Sequence, residues 1–311
     1  MQTIIGAGGA IGKDLARFLR DYTDSIKLVS RNPVKVNDTD ILQPADVNDP
    51  SQIHAAIAGS EVCYVALGFA YKLKVWREKW PAFMHHVIEA CIRNQTRLVF
   101  FDNVYALDKD HIGRITESSP INPISKKGAV RAAVDRMILE QVEKGKLQAI
   151  IARAPDFFGP YDKQKSMMMN TVYDNLVKGK TAQWFCNADV IHSMGFTPDL
   201  ARGFAMLGNT ADAYNQVWNL PVNSEALTGR EWVKLFAAEM KTSDKVTTVP
   251  LWMIKLLGVF VPILREMPEM MYQFDRPYFF DSSKFLKRFN YTPVSNKEAV
   301  RQAIAAFRQP S

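Results

Sequence analysis

A short apolar run at the chain's start ends in Gly6-Ala7-Gly8-Gly9-Ala10-Ile11-Gly12, and a helical pattern begins there. Thr3–Ile5 reads as a strand and Gly12–Leu19 as the start of a helix, with the glycines between them. Glycine at this point lets the backbone turn tightly and approach a pyrophosphate, whose charge meets the positive end of the helix. A purely structural turn would explain a lone glycine run equally well. Its position at the head of a strand–helix–strand pattern favours nucleotide binding. Glycines at 6, 9 and 12 give GxxGxxG; the commoner GxGxxG would need glycine at 11, where Ile11 stands.

The pattern continues as the glycine loop requires. Lys27–Val29, Glu61–Leu67, Arg97–Phe101 and Gln148–Arg153 read as further strands, and Ala82–Cys91 and Asn122–Glu143 as helices between them. Alternation of short apolar runs with helical periods, joined by brief turns such as Arg31-Asn32-Pro33, predicts a doubly wound parallel α/β sheet of Rossmann type. After Gly159-Pro160 the period loosens: Tyr161–Val190 shows no sheet pattern, Pro198–Leu207 reads as a helix, and Gln216–Leu220 as one more core strand. From Asn223 the chain reads as helical, punctuated by Pro250, Pro262, Pro268 and Pro277. These patterns divide the chain into a dinucleotide-binding domain over 1–160 that returns at 191–222, and a smaller, mostly helical substrate domain from 161–190 and 223–311. A length of 311 residues suits two domains at about 150 residues each.

Composition excludes several classes. Apolar residues make up 47% and charged residues 23%, which rules out a disordered or fibrous chain. Cys63, Cys91 and Cys186 are too far apart in sequence for a disulfide framework or a CxxC metal clip, so a reducing, cytoplasmic setting is expected. The opening Met1-Gln2-Thr3-Ile4-Ile5 has no signal-peptide pattern. Leu251–Leu264 is too short to span a bilayer, which takes about 20 residues, and Lys255, Gly258 and Pro262 interrupt it. Its stretch Trp252–Leu264 is expected to pack within the smaller domain rather than on a membrane surface. Lys and Arg exceed Asp and Glu by 39 to 32, an excess suited to an anionic cofactor or substrate. The basic residues are scattered rather than striped, so the expected partner is a small molecule, with no nucleic acid and no membrane; a homodimer is compatible.

The glycine spacing resembles that of the short-chain dehydrogenase/reductase superfamily, in particular its extended branch of sugar-nucleotide epimerases and dehydratases. Further landmarks fall in order. Ala45-Asp46-Val47 resembles the acidic turn after the third strand, and Val65-Ala66-Leu67-Gly68 the end of the fourth. Arg153-Ala154-Pro155-Asp156-Phe157-Phe158-Gly159-Pro160 is similar to the R-P-x-x-x-Y-G-P turn after the sixth strand; Asp199-Leu200-Ala201-Arg202 and Val217-Trp218-Asn219-Leu220 are similar to the later D-x-A-R and Y-N-L motifs. The resemblance implies a cofactor cradle of Gly6, Gly8, Gly9, Ala10, Ile11, Gly12, Asp46, Val47, Ala66, Leu67, Gly68, Asp102, Ala154 and Pro155. It also implies a substrate region near Asp156, Phe158 and His192, although turn capping explains Asp156 equally well, and a structural role is the favoured reading of His192.

At the end of the second strand, where NAD-preferring folds carry an acid for the ribose hydroxyls, the sequence reads Ser30-Arg31-Asn32-Pro33 with Lys35 behind. Arg31 and Lys35 suit a 2′-phosphate, so NADP(H) is expected over NAD(H).

The family's usual proton-transfer pair is a tyrosine with a lysine four residues on, both on one helix face, so that the ammonium lowers the phenol's pKa. This chain departs from it. The helix opening Asn122-Pro123-Ile124-Ser125-Lys126-Lys127-Gly128 has no tyrosine. Aligned on Pro123, the two places hold Ile124 and Gly128; aligned on Asp135, Lys127 and Arg131. YxxxK recurs at Tyr161/Lys165, after the wrong turn, and at Tyr105/Lys109. Tyr105 follows the fifth strand, in Asp102-Asn103-Val104-Tyr105, and is either a structural tyrosine or a proton donor; Asn103 stands where the family has a substrate-orienting serine. Tyr105, Lys127 and Asn103 are therefore the catalytic candidates.

No metal site is expected: His85, His86 and Glu89 read as a solvated helix face without a third ligand, and Met167–Met169 with Trp184 and Phe185 read as core. Two functions fit. One is an NAD(P)(H)-dependent oxidoreductase or epimerase acting on a small carbonyl, hydroxyl or nucleotide-sugar substrate. The other is a catalytically silent dinucleotide-binding sensor or assembly protein.

Overall fold

The computed structural model describes residues 1–161 and 166–308. The chain opens β1 (Gln2–Ile5), α1 (Ala10–Leu19), β2 (Ile26–Ser30), β3 (Ile41–Pro44), α2 (Pro50–Ile57), β4 (Val62–Val65), α3 (Leu73–Asn94) and β5 (Arg97–Asp102). It continues with α4 (Lys126–Glu143), β6 (Ala149–Arg153), β7 (Phe157–Phe158), α5 (Asp174–Val177), β8 (Ala182–Phe185), β9 (Gly195–Phe196), α6 (Thr197–Gly208) and β10 (Gln216–Asn219). It closes with α7 (Gly229–Met240), β11 (Val246–Val249), α8 (Leu251–Leu257), α9 (Pro262–Arg265), α10 (Ser283–Phe289) and α11 (Asn296–Arg308).

Two compact units result. The first comprises Met1–Ala106, Lys127–Ala154 and Leu200–Leu220; the second comprises Leu107–Lys126, Pro155–Asp199 and Pro221–Ser311. The sequence reading sets the division elsewhere, for it keeps 107–126, 155–160, 191–199 and 221–222 with the sheet. A bridge from Ile115 to Phe280 and the ion pair of Arg114 with Asp281 tie 107–126 to the second unit.

In the first unit seven parallel strands lie in the order β10-β6-β5-β4-β1-β2-β3. Helices on both faces bury the central strands β1, β4 and β6 completely, which is why β4 and the first four residues of β6 read as unbroken apolar runs rather than alternating ones. α2 starts at Asp49, whose carboxylate accepts the Ser51 N–H, with Pro50 in the first helical position. Strand order reverses at β1, so the crevice outside the carboxyl ends of β1 and β4 is where this architecture takes a ligand. Cys63 of β4 and Cys91 of α3 touch as free thiols, although far apart in sequence.

The second unit is built around Phe158, Trp184, Trp232 and Phe236. Met168 and Met169 are buried there with Phe185, as core rather than as an adaptable pocket. Two expectations change. Tyr161–Val190 contains a strand after all, and the stretch beyond Asn223 is not wholly helical, because β8 pairs in parallel with β11. Trp252–Leu264 is not packed away either: Trp252, Leu256, Val259 and Phe260 are exposed. Among the described residues no helix is long and apolar enough to cross a membrane.

Candidate active site

The turn from β1 into α1 is fixed by two glycines and left open at two others. Gly6 has φ +93°, and a Cβ there would lie 2.7 Å from the Leu67 nitrogen and 2.8 Å from the Ala66 carbonyl. A Cβ on Gly12 would lie 2.5 Å from the Gly6 oxygen. These two glycines therefore let strand, helix and the Ala66-Leu67-Gly68 loop close on one another. Gly8 has nothing within 4 Å of its would-be Cβ, and at Gly9 the nearest atom is 3.5 Å away. Gly9 caps α1 in an extended conformation with no side-chain cap, and the first turn of α1 carries no acid. Smooth backbone, open space and an uncapped helix end together fit the pyrophosphate of a dinucleotide.

At the neighbouring strand ends, Ser30 of β2 stands in register with Pro44 of β3. Arg31 is exposed just beyond. Asp46 closes the turn after β3, its carboxylate taking the Asn48 N–H at 2.9 Å. Hydrogen bonds from Asn48 hold that carboxyl below its usual range, with smaller contributions from the charges of Lys79 and Arg31. Val47 packs against the core beside it. Lys35 is exposed and donates to the Asp38 carbonyl at 2.7 Å, a local contact that stiffens the loop.

The carboxyl end of β5 carries the polar candidates. Asn103 Oδ1 accepts the Tyr105 N–H at 2.9 Å, an Asx turn that sets the direction of the Tyr105 ring. That ring stacks on Trp76 with centroids 6.1 Å apart. Trp76 in turn meets Tyr71 edge-on at 5.6 Å, and the Lys127 ammonium lies 4.7 Å from the Tyr71 ring centre. Lys127 is 1% exposed, whereas Ile124, at the other alignment's tyrosine place, is 55% exposed. The fold thus gathers Tyr105, Trp76, Tyr71 and Lys127. Tyr71 escaped sequence reasoning, since it lies in a loop with no period; its signal was the aromatic spacing Phe69-x-Tyr71 after β4. Of the remaining YxxxK match, Lys165 lies outside the described residues.

One expectation about this edge is corrected. Asp102 is not a cofactor contact through its side chain: it is 1% exposed, paired with Arg131 of α4, while its carbonyl accepts the Ala154 N–H at 3.0 Å. Arg131, four residues after Lys127, is spread over the rings of Trp80 and Phe100, so this cation is a brace inside the sheet. Beside it Arg153 and Asp135 pair at 3.4 Å, both buried. Burial, with the nearby Asp102 charge second, pushes the Asp135 carboxyl well above its usual range.

In the second unit Phe158 is not a substrate contact, being 1% exposed and packed on Phe196, Trp232 and Phe236. His192 is likewise buried, stacked between Phe274 and Tyr278 at 4.5 Å from each. Its Nε2 lies 3.1 Å from Asp156 Oδ2, so His192 orients Asp156 instead of reaching a ligand itself. Asp156 keeps 25% of its side chain exposed. His54 of α2, which the sequence did not connect with this helix face, brings a ring nitrogen within 4.8 Å of side-chain atoms of His86 and Glu89.

A seven-stranded parallel sheet in this order, with a glycine turn at its switch point and polar side chains at the next strand end, defines a dinucleotide-binding α/β protein. Residues 3–220 match the NAD dependent epimerase/dehydratase family, and the chain belongs to it. A dTDP-glucose 4,6-dehydratase of Mycobacterium tuberculosis is 30% identical over 97 residues, which is 30% of this chain and 29% of that relative. The chain thus aligns with under a third of that relative's length. Among solved structures, the DesIV double mutant of Streptomyces venezuelae, a dTDP-glucose 4,6-dehydratase with NAD and DAU bound, superposes with a TM-score of 0.82 at 17% identity, covering 99% of this chain and 97% of that one. The UDP-glucuronic acid 4-epimerase of Bacillus cereus, in complex with UDP-glucuronic acid and NAD, gives 0.80 at 13% identity with 99% of both chains covered. The UDP-glucose 4-epimerase of Thermus thermophilus, in complex with NAD, gives 0.76 at 16% with 99% of both covered. At these identities the likeness is one of fold.

Proposed function

We propose that the chain is an NAD(P)(H)-dependent oxidoreductase or epimerase acting on a nucleotide sugar or another small carbonyl- or hydroxyl-bearing substrate. The observation that carries this reading is the Gly6–Gly12 turn, locked against Ala66 and Leu67 yet open at Gly8 and Gly9. The UDP-glucuronic acid and NAD held by the Bacillus cereus epimerase, and the dTDP-glucose dehydratase activity named for DesIV, support the substrate class. When bound, the dinucleotide supplies hydride exchange with a carbinol or carbonyl carbon. The chain's own part is to move the matching proton, and Tyr105, Tyr71 and Lys127 are the groups close to the β5 end that carry one. Asp156, steadied by His192, is a candidate to hold a substrate hydroxyl.

For a 2′-phosphate on the cofactor the reading rests on Arg31, which has no acid as its neighbour in sequence. The structural neighbours named above hold NAD, and the NADP(H) reading rests on this chain's own Arg31 and Lys35. The test is a titration of NAD(H) and NADP(H) by protein fluorescence, then a screen of UDP- and dTDP-sugars for oxidation, reduction or epimer exchange. No binding of either dinucleotide sinks the proposal.

A second reading has its own observation. In the alignment on Asp135 the places of the family's tyrosine and lysine hold Lys127 and Arg131, in the alignment on Pro123 Ile124 and Gly128, so neither restores the pair, and Arg131 is paired with Asp102. A dinucleotide-binding sensor without turnover fits that substitution. Saturable cofactor binding with no exchange on any sugar nucleotide would select it.

A further inference from the structure

Eight of the fifteen exposed large apolar side chains among the described residues fall within Leu251–Ile263. Phe260 is 79% exposed, Trp252 63%, Val259 62% and Leu256 56%. Soluble surfaces carry such residues singly; a concentrated patch marks something that covers it. The segment is also rigidly made. Val261 N–H donates to the Leu257 carbonyl at 2.9 Å and Leu264 N–H to the Val261 carbonyl at 3.0 Å, so α8 and α9 form a tight hairpin. The Arg265 guanidinium caps its bend, donating to the carbonyls of Gly258 and Val259. Gly258 permits this closure, since a Cβ there would press on the Arg265 backbone at 3.0 Å. On the inner side Ile254 is fully buried, with Met253, Leu264 and Met267 packed against the second unit's core. The exposed residues therefore form the outer face of an anchored hairpin, with Val259-Phe260-Val261 at its tip.

Charge identifies the occupant. Lys255 and Arg265 are the charged residues between Leu251 and Arg265, with no acid among them. The whole chain carries a formal charge of +7. A tryptophan with aliphatic and phenylalanine neighbours, two cations and internally satisfied backbone is the chemistry of a segment lying in the headgroup boundary of an anionic bilayer. We propose that the α8–α9 hairpin seats this chain on an anionic lipid surface. The hairpin is too short to span one. A second copy of the chain, meeting through the same apolar face, would not need the cations.

The test uses the full chain and vesicles of neutral phosphatidylcholine, with or without about one third anionic phosphatidylglycerol. Trp252 is a built-in probe, because the other five tryptophans (Trp76, Trp80, Trp184, Trp218 and Trp232) are buried. Adding anionic vesicles should blue-shift the emission and carry the protein into the vesicle pellet. Two cations near the surface should make affinity for neutral vesicles lower by about thirtyfold. Phe260→Asp, at the exposed tip, should keep native circular dichroism and abolish pelleting; Lys255→Glu should weaken it on anionic vesicles only. Absence of pelleting on both compositions overturns the proposal. So does equal binding to both, or a dimer in size-exclusion chromatography that Phe260→Asp dissociates while vesicles have no effect.

Discussion

The Lys127 ammonium lies 4.7 Å from the centre of the Tyr71 ring, and Trp76 links that ring to Tyr105. A lysine 1% exposed is held there by the cation–π contact and by the first turn of α4, in the region where the family keeps its proton-transfer group. Within this cluster one group is expected to exchange the proton with substrate. General acid–base help is typically worth about 10²–10⁴-fold, so Lys127→Met, Tyr71→Phe or Tyr105→Phe should lower turnover by that order for the true donor, with dinucleotide affinity retained. Single-turnover absorbance of the reduced nicotinamide measures it. If all three variants turn over at the parent rate, the cluster is structural.

Arg31 predicts cofactor choice. A charge-assisted pair with a 2′-phosphate contributes on the order of 1.5–3 kcal/mol, about tenfold or more in affinity. NADP(H) should therefore bind at least tenfold more tightly than NAD(H), and Arg31→Ala should remove most of the difference without weakening NAD(H). A preference for NAD(H) that survives Arg31→Ala would sink this.

Much of the first unit is legible in the sequence because its signals are local. The glycine turn, the short, largely apolar strands and the spacing from Gly6 to Gly12 each act within a few residues. What stayed hidden depends on partners distant along the chain. β8 and β11 are short, and β11 leaves Thr247 and Thr248 exposed, so neither shows an alternation that a single segment reveals. Tyr71 sits in an aperiodic loop, and His54 meets Glu89 only because α2 packs on α3. The default rule that apolar runs are core failed at Trp252–Leu264, where a hairpin turned most of them outward.

Asp14 predicts a pH dependence. Burial pushes its carboxyl up to about 6, against the opposing pull of Arg17, from an ordinary 3.8. The folded chain therefore holds this proton more tightly than the unfolded chain does. Its stabilising share is complete below about pH 4 and is lost as pH rises through about 6. Asp14→Asn should leave stability unchanged near pH 4 and raise it by about 1–3 kcal/mol at pH 8. Urea midpoints at the two pH values decide it, and a gain that is equal at both refutes the assignment.

Arg131 predicts a stability effect without direct contact with a ligand. Removing one partner of a buried pair leaves an uncompensated charge, at a cost of about 3–5 kcal/mol. Arg131→Met should lower the unfolding midpoint accordingly, by stranding Asp102. Adding Asp102→Asn should recover most of the loss, because the stranded charge is gone. If the double variant is no better than the single one, packing of the guanidinium on Trp80 and Phe100 matters more than charge.

Gly9 and Gly12 lie three residues apart and should fail in opposite ways. At Gly12 an added Cβ meets the Gly6 oxygen at 2.5 Å and the Ala7 Cα at 2.8 Å, both backbone, so α1 must move off the turn. Overpacking of this kind costs about 1–3 kcal/mol, and Gly12→Ala should show it as a lowered thermal midpoint even without cofactor. At Gly9 the backbone is extended, with φ −80° and ψ 170°, which a β-branched residue adopts readily. The nearest atom to its Cβ is 3.5 Å away, an ordinary contact. Gly9→Val should therefore fold with an unchanged midpoint, while its side chain fills the space through which the pyrophosphate must approach. Dinucleotide affinity should drop at least about tenfold, the equivalent of 1.4 kcal/mol. Fluorescence titration alongside thermal unfolding separates the two failures. Native stability with undiminished cofactor binding in Gly9→Val would show that this turn does not cradle a phosphate.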